Sequence, residues 1–282
     1  MILSDFHTHS SNSGDCDVPM ATQIESARKK GLKHFCITEH MDINYPAPPS
    51  GYEDDTCDFI LDFDAYESEF SACKSKLNSI SDMTSDITSD IALYFGVELG
   101  LQTNIVDKNI CFMKNKDFDF VLGSSHVLDG EDPYYPAFFT GKSESDVFRH
   151  YFESIYENIQ LFDNFDCYAH IDYIVRYGTT KSYSYFDYSD EIDAILKSLI
   201  EKGKGIEINT GGLRNGLKYP NPCPDVLKRY KELGGEILTI GSDAHKPEHI
   251  AYGFDIIPDM LIDCGFKYYT IFKKRIPEFI NL

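Results

Sequence analysis

Six apolar runs along this chain end alike, in histidines or carboxylates: His7-Thr8-His9, Thr38-Glu39-His40, Gly96-Val97-Glu98, Gly123-Ser124-Ser125-His126, Tyr168-Ala169-His170 and Gly241-Ser242-Asp243-Ala244-His245. The runs are short and rich in β-branched and aromatic residues, as buried strands are. Because side chains alternate along an extended segment, His7 and His9 fall on the same side and make half of a metal site. Such a pair is weak evidence alone, since surface histidines recur by chance. The five other strand ends of like chemistry raise its weight, and few folds bring all six to one place.

Helical stretches lie between the runs. Pro19 suits a first helical turn and Gly31 a C-cap, with Ile24, Ala27 and Arg28 on one face. From Phe63 to Ile80 the residues Tyr66, Phe70, Cys73, Leu77 and Ile80 form one stripe at helical spacing. Ser143 is an N-cap for the longest helix, which runs to Phe162 with Glu144 and Asp146 in a first turn that favours negative charge. Further helices are expected within 103–116, over Ser189 to Lys202, over Pro222 to Leu233 and through most of Lys246 to Cys264. A last strand, Tyr268 to Phe272, precedes an irregular tail. The segments 42–62 and 127–142 carry no periodicity and read as rims of an active site.

This β-α alternation, repeated about seven times, argues for a parallel sheet with helices outside it. An open doubly wound sheet gathers its ligands at one crevice. A barrel presents the C-terminal end of every strand at one mouth. Candidate ligands after the first, second, third, fourth, fifth and seventh strands favour the barrel.

Nothing within the 282 residues reads as a linker, so a single domain spanning 1–282 is expected. No apolar run nears the roughly 20 residues of a membrane helix. With 46 acidic against 26 basic residues the formal charge is -20, which repels polyanions and argues against nucleic acid as a partner. A small anion stays compatible, because bound metal ions make a local positive site. Eight cysteines show no Cys-x-x-Cys pair, and several lie inside apolar runs, the pattern of reduced thiols packed as small hydrophobes. The first candidate ligand, His7, leaves no room for a removable signal peptide ahead of it, and a cytoplasmic location is expected.

Histidine, aspartate and glutamate are N/O ligands for divalent Zn, Mn or Fe, and the lack of clustered cysteines argues against a closed structural zinc site. The candidates exceed what one ion needs, which implies a multinuclear centre with a bridging carboxylate. Taken in order over the whole chain, His7-Thr8-His9, Thr38-Glu39-His40, Glu98, His126, His170 and Asp243-Ala244-His245 resemble the four motifs of the PHP (polymerase and histidinol phosphatase) superfamily. Pro19, the run Thr38 to Asp42 and the run Glu207 to Arg214 are most similar to its stand-alone histidinol-phosphate phosphatases.

The resemblance implies an α/β fold, a distorted (β/α)7 TIM-like barrel with up to three divalent ions. Carried over by position, His7, His9, Glu98 and Asp243 hold the first ion, and Glu98, His126 and His170 the second. The third takes His40, His245 and Asp15, which stands where many relatives have histidine; Asp17 is its rival. Glu98, Asp243 and His245 are the residues expected to carry the chemistry. Arg176 and Arg214 match positions where such phosphatases clamp phosphate. Three dications against Asp15, Glu98 and Asp243 leave a charge of about +3, which draws in a phosphate dianion.

The implied reaction is hydrolysis of a small phosphate monoester by in-line attack of a metal-bridging hydroxide, with L-histidinol phosphate the foremost substrate. A nucleotide, sugar phosphate or phosphotyrosine substrate is the second reading, and a non-catalytic metal-binding interaction domain the third. Among other residues, His34 and His150 are expected to be structural or solvent-facing, and His249, though near enough to His245 to support it, is given a supporting role only as the lesser reading. Asp5 is placed to orient a ligand, since metal-bound histidines donate their second N–H to a partner, and Glu207 is read either as a support of the site from a strand end or as a fold-stabilising hydrogen bond. Gly211-Gly212 is read as a turn that permits close backbone approach.

Overall fold

The computed structural model describes residues 1–81 and 91–282, the side chains of 80 and 81 excepted. The elements in chain order are β1 (Ser4–Asp5), α1 (Met20–Lys29), β2 (His34–Met41), α2 (Phe63–Ser81), β3 (Ala92–Gly100), α3 (Val106–Met113), β4 (Phe120–Ser124), α4 (Glu144–Leu161) and β5 (Cys167–Tyr168). They continue with α5 (Ser189–Glu201), β6 (Gly205–Asn209), α6 (Gly211–Arg214), α7 (Pro224–Glu232), β7 (Leu238–Gly241), α8 (Ile257–Asp263), β8 (Tyr268–Lys273) and β9 (Ile276–Asn281). Strands β1 to β7 form one parallel sheet in sequential order. Its edges turn toward each other: Phe6 N donates to Ile240 O at 2.9 Å, His9 N to Ala244 O at 3.0 Å, and Asp243 N to His7 O at 2.8 Å. The result is a nearly closed (β/α)7 TIM-like barrel.

Local chemistry explains the helices. Ser143 caps α4 by accepting from Asp146 N, and Val147, Phe148, Tyr151, Phe152, Ile155 and Ile159 bury one stripe of it. Gly31, with φ +80°, ends the turn after α1. On α1, Met20 and Gln23 join Ile24 and Ala27 in the buried face, whereas Arg28 turns outward to pair with Glu25 at 2.9 Å. Along α2, Tyr66 and Phe70 are buried and Cys73 and Leu77 half-buried; the side chain of Ile80 lies outside the described ones.

The barrel interior below its mouth is aromatic. Phe6, from the segment after β1, meets Tyr94 of β3 and Phe120 of β4 at ring-centroid distances of 5.2 and 5.5 Å, although these strands are not neighbours in the sheet. Phe272 of β8 reaches Phe120 at 5.1 Å. The β8–β9 hairpin thus closes the N-terminal end of the barrel, and Thr270 Oγ1 accepts from Leu238 N of β7 at 3.1 Å. Phe120 is fully buried, so Phe120→Ala is expected to cost about 3–5 kcal/mol. A urea titration would read this as a lower midpoint at unchanged slope, and a shift under 1 kcal/mol would show that the hairpin, not the ring cluster, carries this end.

Two further expectations fail here. The tail after Phe272 is not irregular, because β9 pairs with β8 along its whole length. Its turn, Lys274-Arg275 with φ +50° and +64°, holds no glycine or asparagine to announce it. Instead Asp119 accepts from Lys274 N at 3.0 Å, and Arg275 Nε pairs with Asp166 at 2.5 Å. Nor is 246–264 mostly helix: α8 covers only its last part, because Ala251 gives its N–H to Asp5 Oδ2 at 3.0 Å and adopts φ +53°.

Candidate metal centre

Glu98 lies near the end of β3, fully buried, where the parallel register sets it beside His40 of β2. Its Oε2 lies 3.0 Å from His7 Nε2, 3.2 Å from His40 Nδ1 and 3.4 Å from His9 Nε2. Its Oε1 lies 3.0 Å from His170 Nε2 and 3.1 Å from His126 Nε2. One carboxylate therefore faces five imidazoles, three on one oxygen and two on the other. Asp243 closes the other side, with Oδ1 at 3.5 Å from His9 Nε2 and 3.7 Å from both His7 Nε2 and His245 Nδ1. At the mouth, Asp15 Oδ2 reaches His245 Nε2 at 3.0 Å and His40 Nε2 at 3.6 Å. Asp15, not Asp17, meets these histidines.

Four of the imidazoles are aimed by a partner behind them, whereas Nδ1 of His170 is buried without one. His7 Nδ1 meets Glu207 Oε1 at 2.6 Å, and His126 Nδ1 meets Asp42 Oδ1 at 2.9 Å. His9 Nδ1 meets Ser13 Oγ at 3.1 Å, and Ser13 in turn donates to Glu39 at 2.5 Å. His245 Nδ1 donates to its neighbour's carbonyl, Asp243 O, at 3.1 Å. With Nδ1 acting as donor, the Nε2 lone pairs of these rings turn inward, the tautomer and orientation that metal ligation needs. Glu207 serves two strands at once, since Oε2 accepts from His170 N at 3.1 Å. Space for these carboxylates comes from glycines: a Cβ on Gly241 would stand 2.3 Å from Glu207 Oε1, and one on Gly100 would collide with Asp42 Oδ1.

The donor atoms fit divalent ions. His9, His40 and His245; His7, His9 and Asp243; His7, Glu98 and His170; and His40, Asp42 and His126 each bring ligand atoms within 4.8 Å of one another. His126 Nε2 and His170 Nε2 stand 3.4 Å apart, close to the ~3.3 Å between two nitrogens on one tetrahedral zinc. His9 Nε2 is buried without a hydrogen-bond partner. Burial, with His245 and His40 alongside, pushes the His9 pKa down to about 3, so its ring is kept neutral. Burial raises the carboxyl of Asp15, but His40 and His245 outweigh it and hold it well below the usual range. His170 and Asp243, at φ +21° and +54°, are non-glycine residues in a strained region costing of order 1 kcal/mol each. The sharp turns at the ends of β5 and β7 throw both side chains back over the barrel mouth.

Arginines and a cavity adjoin this cluster. The guanidinium of Arg176 stacks 3.8 Å from the Tyr173 ring, Nη1 lies 3.9 Å from Asp243 Oδ2, and Nε is buried without a partner. Arg214 donates Nη2 to Asp243 O at 2.6 Å and Nη1 to Ser242 O, so part of its fork braces the loop that carries Asp243. Both line a cavity of about 1030 Å³ together with Asp15, His40, Glu98, His126, His170, Asp243 and His245. His249 lines it as well. His34 instead meets Tyr94 Oη at 2.8 Å, at the strand start, and His150 pairs with Asp129 at 2.8 Å on an exposed helix face. Gly211 and Gly212 do allow close approach: a Cβ on either would crowd Asn209 or Asn221.

Asp5 touches no imidazole ring. Its oxygens accept from Ser242 N at 2.9 Å, Ser242 Oγ at 2.6 Å and Ala251 N at 3.0 Å, so it fixes the loop after β7. The carboxylate behind His126 is Asp42, to which the motif reading gave no role. Asp42 stands two residues beyond His40, so strand alternation already placed the two on one side.

The PHP domain profile matches residues 5–211. A probable histidinol-phosphatase of Clostridium acetobutylicum is 32% identical over 280 residues, covering 99% of this chain and 100% of that protein. The histidinol-phosphatase of Lactococcus lactis is 29% identical over 244 residues, 86% of this chain and 83% of that one. The crystal structure of histidinol phosphate phosphatase from Lactococcus lactis, complexed with zinc, L-histidinol and phosphate, superposes with a TM-score of 0.81 at 25% identity, covering 98% of both chains.

Proposed function

The chain belongs to the PHP domain family, and on that premise we propose that it is a metal-dependent phosphomonoesterase that converts L-histidinol phosphate to L-histidinol and phosphate. The observation that carries the chemistry is Glu98, one buried carboxylate facing His7, His9 and His40 with one oxygen and His126 and His170 with the other. That is the disposition of a bridging ligand. The substrate follows from likeness along the whole length to histidinol-phosphatases.

In this reading His7, His9, Glu98 and Asp243 would hold one divalent ion, Glu98, His126 and His170 a second, and His40, His245 and Asp15 a third. The ions supply a water molecule acidic enough to ionise near neutral pH and positive charge against the phosphate oxygens. The protein does the rest. Glu207, Asp42 and the Ser13–Glu39 pair keep the rings aimed, with Nδ1 outward and Nε2 toward the cluster. Arg176, held over the Tyr173 ring, offers its unpartnered Nε and remaining N–H groups to the phosphate dianion. Arg214 keeps Asp243 in place through two backbone carbonyls and adds positive charge to the cavity wall. The same proposal places the enzyme in the cytoplasm, in keeping with eight free cysteines.

A substrate comparison tests this. With Zn or Mn supplied, kcat/KM for L-histidinol phosphate should exceed that for 4-nitrophenyl phosphate by at least about a hundredfold, roughly 2.7 kcal/mol of extra transition-state binding to the alcohol half. Equal values would refute the substrate and leave the hydrolysis standing. A preference for a sugar phosphate, nucleotide or phosphotyrosine in the same assay would replace it.

A further inference from the structure

The cavity is far larger than a phosphate group, and its outer wall differs from its floor. The floor carries the histidines, carboxylates and two arginines; the outer wall is built by the segments 42–62 and 127–142 and the turn after β5. Tyr45, Phe59, Tyr135, Tyr173 and Tyr177 line it. Besides Asp42, which is engaged with His126, and the exposed Asp55, this wall carries the carboxylate Asp132, 9% exposed. Leu128 and Glu131 exchange backbone hydrogen bonds of 3.0 Å across a tight turn at Asp129-Gly130, which fixes where Asp132 enters the cavity.

Asp132 Oδ1 accepts from Tyr134 N at 2.8 Å, and Oδ2 accepts from Tyr45 Oη at 2.7 Å. Among the described residues no lysine, arginine or histidine pairs with it, although the same wall is rich in π faces. A carboxylate removed from water is costly unless something charged meets it, and two neutral donors use only half of its lone pairs. Aromatic faces beside a carboxylate suit a cation, which gains the charge of one and the quadrupole of the others. The cavity therefore has two ends of opposite demand: the metal cluster and Arg176 for a dianion, Asp132 within its aromatic wall for a cation.

We propose that Asp132, held by Tyr45, anchors a cationic group, an ammonium or imidazolium, on the alcohol half of the phosphate ester. This inference deepens the histidinol-phosphatase reading and rests on it for the identity of the ester. It makes Asp132 a specificity-determining residue: it selects among phosphate esters and takes no part in breaking the P–O bond. It also gives the two long rim segments a purpose, since Tyr45 comes from one and Asp132 from the other.

The test uses the metal-loaded enzyme with Asp132→Asn and Tyr45→Phe. Two quantities are read: the ratio of kcat/KM for L-histidinol phosphate to that for 4-nitrophenyl phosphate, and the inhibition constant of free L-histidinol against 4-nitrophenyl phosphate hydrolysis. Asp132→Asn should lower the ratio about a hundredfold, through KM, and raise the inhibition constant by a similar factor. Tyr45→Phe keeps the carboxylate and loses one donor, so it should lower the ratio about three- to tenfold; it also serves if the asparagine variant does not fold. A ratio unchanged in either folded variant, with both substrates equally impaired, overturns the proposal and makes the pair a brace between loops. If the wild-type enzyme shows no preference for histidinol phosphate, the substrate reading fails separately. The inhibition arm then still decides: L-histidinol that does not inhibit, or inhibits wild type and Asp132→Asn alike, overturns the cation anchor.

Discussion

Glu98→Gln is expected to lower kcat/KM for histidinol phosphate by at least about a thousandfold, roughly 4 kcal/mol at 1.4 kcal/mol per tenfold, with the circular dichroism spectrum and urea midpoint near wild type. Glutamine keeps the shape and one acceptor oxygen but loses the charge and the second acceptor, and both oxygens of Glu98 face imidazoles. A bridging position cannot be filled by an amide, whose nitrogen donates where a ligand must accept. The fold should persist for two reasons. Imidazoles deprotonate, so removing the carboxylate strands no fixed buried charge, unlike the loss of one partner from an arginine pair. The aromatic packing of Phe6, Tyr94, Phe120 and Phe272 also lies apart from the cluster. His9→Ala checks the same point from the other side of the site. Activity within tenfold of wild type in both folded variants would mean that the cluster is not the reaction centre.

The candidate ligands were legible in the sequence because all but Asp15 lie at the end of an apolar run, where a barrel puts every strand end at one mouth. Glu98, His126, His170 and Asp243 are all found there, and Asp15 meets His40 and His245. What the sequence hid are pairings between strands. Glu207, which the sequence marks as a support without saying for which ring, serves His7 from two hundred residues away, and nothing near position 207 announces that partner. Asp42 was more accessible, since alternation sets it beside His40. The carboxylate expected behind a ligand, Asp5, was assigned one step too close to the ring: it binds the backbone that presents Asp243. The hairpin at the C-terminus escaped because Lys274 and Arg275 form a left-handed turn through acceptors on Asp119 and Asp166, not through residues that favour it. Asp132 and Tyr45 could not be linked at all from two segments without periodicity. Local motifs thus reported the histidine and carboxylate cluster, while the Asp132–Tyr45 pair lies on loops that only the fold brings together.

Dialysis against a strong chelator is expected to remove nearly all activity, to about 1% or less, and to lower the melting temperature by at least several degrees. Both should return on adding Zn or Mn. An ion present at a thousandfold its Kd stabilises the folded state by about 4 kcal/mol, and for a domain of this size each kcal/mol shifts the midpoint by about 2–4 °C. The gain is plausible in this site because the cost of ordering it has been met in the fold: Nδ1 of His7, His9, His126 and His245 is already engaged, and the inner nitrogens already converge. The loss on chelation should come in two parts. His245 and Asp15 stand at the mouth, with side chains 24% and 34% exposed, against 0% for His7 and His9 and 1% for Glu98. The ion they would hold should leave first and return fastest, with the deeper ions lagging. Asp15 brings a charged oxygen to this outer position, so the outer ion should exchange toward Mn more readily than the inner ones. Metal analysis along the dialysis reads this directly as a fractional loss ahead of the rest. Loss of all metal in one step would contradict a separate outer site, and a protein that stays active and equally stable without metal would overturn the assignment of the cluster.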